Sequence, residues 1–131
     1  MSGDNLKSHT VGWIGTGKMG YPMAGLLIAA GADVKVYNRT AAKAEPLGVE
    51  VVGKPSDLAD RDIVFTIVTD DTAIREMITG PDGVLSGASL PKIISDSSTI
   101  SIETSKDMRA ACAAKGVMFL ATPISGNGHA V

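Results

Sequence analysis

Three glycines in the run Val11-Gly12-Trp13-Ile14-Gly15-Thr16-Gly17-Lys18-Met19-Gly20 stand in the order G-x-G-x-x-G, between a β-rich run and a helix-forming one. That spacing suits an anion. Gly15 allows a tight turn, Gly17 lets the backbone approach a pyrophosphate, and Gly20 lets helix and strand pack closely, while the helix N-terminus offers free N–H groups. The loop residues expected to touch a cofactor are therefore Gly15, Thr16, Gly17, Lys18, Met19 and Gly20. The rival reading is a glycine turn that only shortens a strand-to-helix connection.

Sites of this type that take NAD or FAD usually place Asp or Glu about 20 residues past the glycines, where it accepts hydrogen bonds from ribose hydroxyls. Here the second β-rich run, Val34 to Tyr37, leads into Asn38-Arg39-Thr40, with Lys43 one helical turn later. Arg39 can pair bidentately with a 2′-phosphate and stack on adenine, and Asn38 and Thr40 add neutral donors. These residues favour NADP, with NAD second, and the missing acid also disfavours FAD and S-adenosylmethionine. Alternatively, Asn38 and Thr40 cap the next helix and Arg39 is a solvated charge.

The elements that must position these groups alternate. Thr10 to Ile14, Val34 to Tyr37, Val49 to Val52, Ile63 to Val68, Lys92 to Ser95 and Val117 to Leu120 read as strands. Met19 to Ala30, Ala41 to Leu47, Thr72 to Ile78 and Ile102 to Lys115 read as helices, with a weaker turn at Ser56 to Asp60. Gly31, Gly48 and Gly116 supply helix stops. Strands that alternate with helices run parallel, so the expected fold is α/β: a Rossmann-type, doubly wound, mostly parallel six-stranded sheet with helices on both faces. A length of 131 residues with 44% apolar content suits one domain, taken as residues 10–131 after a loose tail of residues 1–9.

Composition removes several function classes. A net charge of -2 gives no footprint for nucleic acid or an anionic membrane. No apolar run reaches the roughly 18 residues of a bilayer span, and the polar start lacks the pattern of a signal peptide, so the expected location is cytoplasmic. His9 and His129 stand far apart and Cys112 is the single cysteine, so neither a metal cluster nor an internal disulfide is expected. Glycine is abundant, 15 in 131 residues, against a usual ~7%.

The longer run Gly15-Thr16-Gly17-Lys18-Met19-Gly20-Tyr21-Pro22-Met23-Ala24 resembles the β-hydroxyacid dehydrogenase family, which includes 3-hydroxyisobutyrate dehydrogenase and the glyoxylate/succinic semialdehyde reductases. Three later segments are similar to family motifs: Asn38-Arg39-Thr40, Asp96-Ser97-Ser98-Thr99-Ile100 and Ala121-Thr122-Pro123-Ile124-Ser125-Gly126-Asn127. The resemblance runs from Thr10 to Val131. It implies that Val68, Thr69 and Asp70 lie along the cofactor and that Thr99 contacts the nicotinamide ribose region. It also implies that Ser125, Gly126 and Asn127 hold a substrate carboxylate, with Ser125 orienting the substrate. Taken alone, Ser97 to Thr99 could be a helix N-cap and Ser125-Gly126 a plain turn.

Family members are roughly twice this length, with a helical second domain that supplies a lysine as general acid and mediates homo-oligomers. By the resemblance, that lysine is expected beyond Val131. The expected function is thus the cofactor domain of an NADP-dependent oxidoreductase acting on a small carboxylate-bearing β-hydroxyacid or semialdehyde, with these 131 residues alone inactive. Two alternatives are a non-catalytic NADP-sensing or interaction module and an imine reductase. Two departures from the family pattern stand out: Ala121-Thr122 replaces an acidic residue before the substrate motif, and Asn127 replaces a glycine, which points toward the semialdehyde reductase branch. Cys112 reads as a buried apolar residue, His129 as a surface histidine and Trp13 as core packing.

Overall fold

The computed structural model describes residues 9–122. Five parallel strands form the sheet: β1 (Thr10–Ile14), β2 (Asp33–Tyr37), β3 (Ile63–Thr66), β4 (Ile93–Asp96) and β5 (Met118–Ala121), in the order β2-β1-β3-β4-β5. Three α-helices connect them: α1 (Gly20–Ala29), α2 (Asp71–Thr79) and α3 (Ile102–Ala113). Strand order reverses at the centre, between β1 and β3. In open α/β sheets ligands gather at that point, outside the carboxyl ends of the strands.

Alternation along each strand sends side chains to opposite faces and builds two cores. Val11, Trp13, Val34 and Val36 meet Ala24, Met23 and Leu27 of α1 on one face. Ile14, Val64, Ile94 and Phe119 meet Ile74, Met77, Met108 and Cys112 of α2 and α3 on the other. Ile14, Val64 and Ile94 are essentially inaccessible to solvent, and burying such side chains stabilises by about 1.5–3 kcal/mol each. Trp13 lies in the core as expected, with its ring centroid 5.3 Å from that of Phe65.

The sixth expected strand, Val49 to Val52, is instead a single parallel bridge between Val51 and Val36 at the outer edge of β2. Val36 N–H donates to Glu50 O (2.9 Å) and Val52 N–H to Val36 O (2.8 Å). Gly48, at φ +77°, precedes this segment and Gly53 follows it, and glycine weakens strands, so the ladder stops there. The expected helix at Ala41 to Leu47 is two 3-10 turns, Ala41–Lys43 and Glu45–Leu47. Pro46 lacks an N–H and disfavours the helical region for the residue before it, which breaks the run. The weaker turn is likewise 3-10, at Pro55–Leu58.

β3 is shorter than the apolar run 63–68. Ile67 N–H still donates to Ile14 O (2.9 Å), but Val68 N–H turns to the Ser98 hydroxyl (2.8 Å). Gly31 and Gly116 end α1 and α3 at positive φ (94° and 78°) as expected.

Candidate cofactor site

The loops after β1, β2, β3 and β4 enclose two adjoining clefts of about 300 and 290 Å³. Gly17, Ile67, Val68 and Thr69 line both, so they form one trough over the carboxyl ends of the strands. The first cleft also takes in Gly15, Thr16, Asn38, Arg39, Thr40 and Lys43. The second takes in Lys18, Met19, Gly20 and Thr99.

The three glycines have different reasons. Gly15 sits at φ +105°, and a Cβ there would lie 1.9 Å from the carbonyl oxygen of Ile67. A Cβ at Gly20 would lie 2.1 Å from the oxygen of Gly15. Those two positions are closed by backbone. A Cβ at Gly17 meets nothing within 4 Å, and Gly17 lines both clefts. The third expectation for this loop, close helix–strand packing at Gly20, holds as well: a Cβ there would also lie 2.8 Å from Cγ2 of Ile67, just past the end of β3.

Helix α1 starts without a side-chain cap and carries no acid in its first turn, which leaves its positive end unopposed toward the second cleft. Thr16 Oγ1 is buried in the first cleft and has no hydrogen-bond partner among the described residues. A buried hydroxyl of this kind is suited to a ligand oxygen.

The β2 end differs in detail from the sequence reading. Asn38 Oδ1 accepts from Thr16 N–H (2.9 Å) and its Nδ2 donates to Thr40 O (2.9 Å), so this amide braces the glycine loop against the next turn. Thr40 occupies the start of a 3-10 turn but makes no side-chain cap. The capping alternative for Asn38 and Thr40 therefore fails. The Arg39 side chain is 71% exposed, and its Nη2 lies 3.4 Å from Glu76 Oε2 on α2.

At the other end Asp96 is 1% exposed. Its Oδ1 accepts from Thr66 Oγ1 (2.7 Å), Ser98 Oγ (2.7 Å) and Ser98 N–H (3.2 Å). Burial raises its carboxyl above the ordinary 3.8, against the lowering effect of the bonds from Ser98 and Thr66. Ser101 caps α3, accepting from Thr104 N–H (3.1 Å), so Ser97 to Thr99 are free of that task.

Asp70 lines neither cleft. Its Oδ1 accepts from Ala73 N–H (2.8 Å) and caps α2. Thr122 N–H donates to Asp96 O (2.7 Å). Ser125, Gly126, Asn127 and His129 lie outside the described residues, as does Val131, past which the resemblance puts the general-acid lysine. Among the described residues no group of three His, Cys, Asp or Glu could hold a metal, and no helix is long and apolar enough to cross a membrane. Cys112 is buried, and burial pushes its thiol up to about 11.

Sequence reasoning missed Tyr37, Ala73 and Met77 as walls of the first cleft. Ala73 and Met77 stand four apart on α2, which places them on one helix face, but nothing in the sequence says which way that face points. Glu76 was missed for the same reason.

Residues 10–131 match the family described as the NAD binding domain of 6-phosphogluconate dehydrogenase. An uncharacterized oxidoreductase of Shewanella frigidimarina is 40% identical over 121 residues, covering 88% of this chain and 42% of that protein. Glyoxylate/succinic semialdehyde reductase 2 of Arabidopsis thaliana is 34% identical over 128 residues, covering 95% of this chain and 36% of that protein. The solved structure of 3-hydroxyisobutyrate dehydrogenase from Mycobacterium tuberculosis, with L-serine, superposes with a TM-score of 0.82 at 31% identity, over 92% of this chain and 42% of that one. The chain thus spans about two fifths of the length of such relatives. With a parallel doubly wound sheet and a glycine loop at its switch point, the chain belongs to the family of the NAD binding domain of 6-phosphogluconate dehydrogenase, a Rossmann-type NAD(P)-binding domain of the kind found in hydroxyacid dehydrogenases.

Proposed function

We propose that residues 10–131 form the NADP-binding domain of an oxidoreductase that acts on a small carboxylate-bearing β-hydroxyacid or semialdehyde, with residues 1–9 as a tail outside it. The observation that carries this reading is Gly17, open on its side-chain face and common to both clefts, with Arg39 and Lys43 at one end. A pyrophosphate rests against Gly17 and the N-terminal turn of α1, beside Lys18 and Met19. Arg39 and Lys43 take the 2′-phosphate, Asn38 holds the glycine loop in place, and the Thr40 hydroxyl adds a donor. Gly15 and Gly20 keep the turn tight. Val68 and Thr69 run along the middle of the dinucleotide, Thr99 lies by its nicotinamide end, and Asp70 contributes by capping α2.

When bound, the nicotinamide supplies hydride chemistry. Ser125, Gly126 and Asn127 hold the substrate carboxylate through a hydroxyl and backbone N–H groups, with Ser125 orienting the reacting carbon. The proton that reduction needs comes from a lysine beyond Val131, in a helical partner domain, consistent with the greater length of the relatives. The intact enzyme is a cytoplasmic homo-oligomer on this reading, and the 131 residues alone bind without turnover.

Trp13 is the single tryptophan and its Nε1 donates to Gly15 O (2.8 Å), so its emission reports on the loop. Titration with NADPH and NADH should show saturable energy transfer with NADPH about tenfold or more tighter, because a charged bidentate pair is involved. Arg39→Asp should abolish that preference and improve NADH binding. Unchanged NADPH affinity in the variant would remove Arg39 from the site.

A further inference from the structure

Asp96 is buried, yet it touches neither cleft directly, and its hydrogen bonds reach three strand ends. Thr66, the last residue of β3, donates its hydroxyl to Asp96 Oδ1. Ser98 donates both its hydroxyl and its N–H to the same oxygen. The Ser98 hydroxyl has one proton, so while it points at Asp96 its lone pairs face the Val68 N–H, which donates to it at 2.8 Å. The Asp96 carbonyl accepts from Thr122 N–H at the end of β5. Val68 and Ser98 are both walls of the second cleft.

Val68 has left the β3 ladder, so its backbone position is set by a side chain rather than by a neighbouring strand. We propose that Asp96 is a positioning residue for the nicotinamide half of the cleft: through the Ser98 hydroxyl it fixes the Val68 to Thr69 backbone against which that half of the dinucleotide lies. This rests on the dinucleotide reading above. Oδ1 carries all three donors and Oδ2 has none among the described residues, so the carboxylate acts as a one-sided acceptor. Asparagine can keep the accepting oxygen only by burying an unpartnered NH2 where Oδ2 now sits.

The test uses the full chain and two ligands, NADPH and 2′,5′-ADP, the latter lacking the nicotinamide half. Asp96→Asn, which replaces a charged acceptor by a neutral one, and Ser98→Ala, which removes the hydroxyl between Asp96 and Val68, should each weaken NADPH about tenfold, while 2′,5′-ADP stays within about twofold. Ser98→Thr retains the hydroxyl and should restore NADPH affinity. A parallel loss of both ligands, or no loss of either, overturns the positioning role, because a residue that only stabilises the fold does not change the ratio of the two affinities. Should Asp96→Asn fail to fold, Thr66→Val takes its place, since Thr66 lines neither cleft and its hydroxyl holds Asp96 Oδ1; an unchanged ratio of the two affinities in that variant overturns the role of Asp96. Wild-type chain that binds neither ligand overturns the dinucleotide reading itself; wild-type binding with unaltered variants overturns only the role of Asp96.

Discussion

The two halves of the trough are built on opposite principles. Over β2, the charged groups are surface groups: Arg39 and Glu76 have side chains 71% and 57% exposed and share one 3.4 Å contact. Over β3 and β4, the wall rests on a carboxylate that is 1% exposed and accepts three hydrogen bonds. Exposed ion pairs contribute little to stability, whereas a buried carboxylate stripped of its partners is costly. Cofactor preference can therefore change at the β2 end without touching the fold, while changes at the β4 end reach the packing of three strands.

The glycine loop between the halves gives the sharpest way to break this comparison. Gly15→Ala should cost at least about 3 kcal/mol and lower the melting temperature steeply, because positive φ and an Ile67 carbonyl both oppose a Cβ. Gly17→Ala should leave the melting temperature within a few degrees yet weaken NADPH about tenfold or more, because its methyl meets no protein atom while Gly17 lines both clefts. Equal thermal losses in the two variants would mean that Gly17 is a turn residue like its neighbour.

A smaller effect marks the buried end of the trough by pH. Asp96 holds its proton more tightly folded than unfolded, because burial raises its carboxyl from 3.8. Its contribution to stability is full below that unfolded value and is lost as pH rises through the raised folded one. Asp62 and Asp71, both lowered chiefly by backbone N–H bonds, from Thr10 and Ser101, have the opposite sign and lose their contribution on acidification. Melting temperatures of wild type minus Asp96→Asn should fall as pH climbs above about 4. A flat difference would mean that Asp96 titrates normally.

The smallest expected effect lies at the exposed end. Glu76 sits against the Arg39 guanidinium and would repel a phosphate placed there, so Glu76→Gln should tighten NADPH a few-fold and leave NADH unchanged. The gain should shrink at high salt, measured by titration at two ionic strengths. Weaker NADPH binding would show instead that Glu76 holds Arg39 in its working orientation.

Much of this architecture is legible in the residues. The β-rich runs of β1 and β2, the nearly continuous apolar run that becomes β3 and the glycine stops at Gly31 and Gly116 follow from local sterics and periodicity. The misreadings are also local in origin. Ala41 to Leu47 has good helix formers, but Pro46 splits it into 3-10 turns; Val49 to Val52 has strand residues, but lies at an edge between glycines. Asn38 was legible as important and illegible in role, because its two hydrogen bonds depend on how the loops after β1 and β2 approach each other.

Gly15, Gly17 and Gly20 could be placed from spacing alone, since backbone angles and the reach of a strand–turn–helix are properties of a few consecutive residues. The sequence likewise determined the parallel sheet, through its alternation of β-rich and helical runs. Only the tertiary structure decided which glycine opens onto a ligand, which carboxylate is buried and which cation meets an acid. Arg39 and Glu76 are 37 positions apart, and Thr66 and Asp96 are 30 apart. Contacts at that separation are set by strand order and helix orientation, which no local pattern encodes.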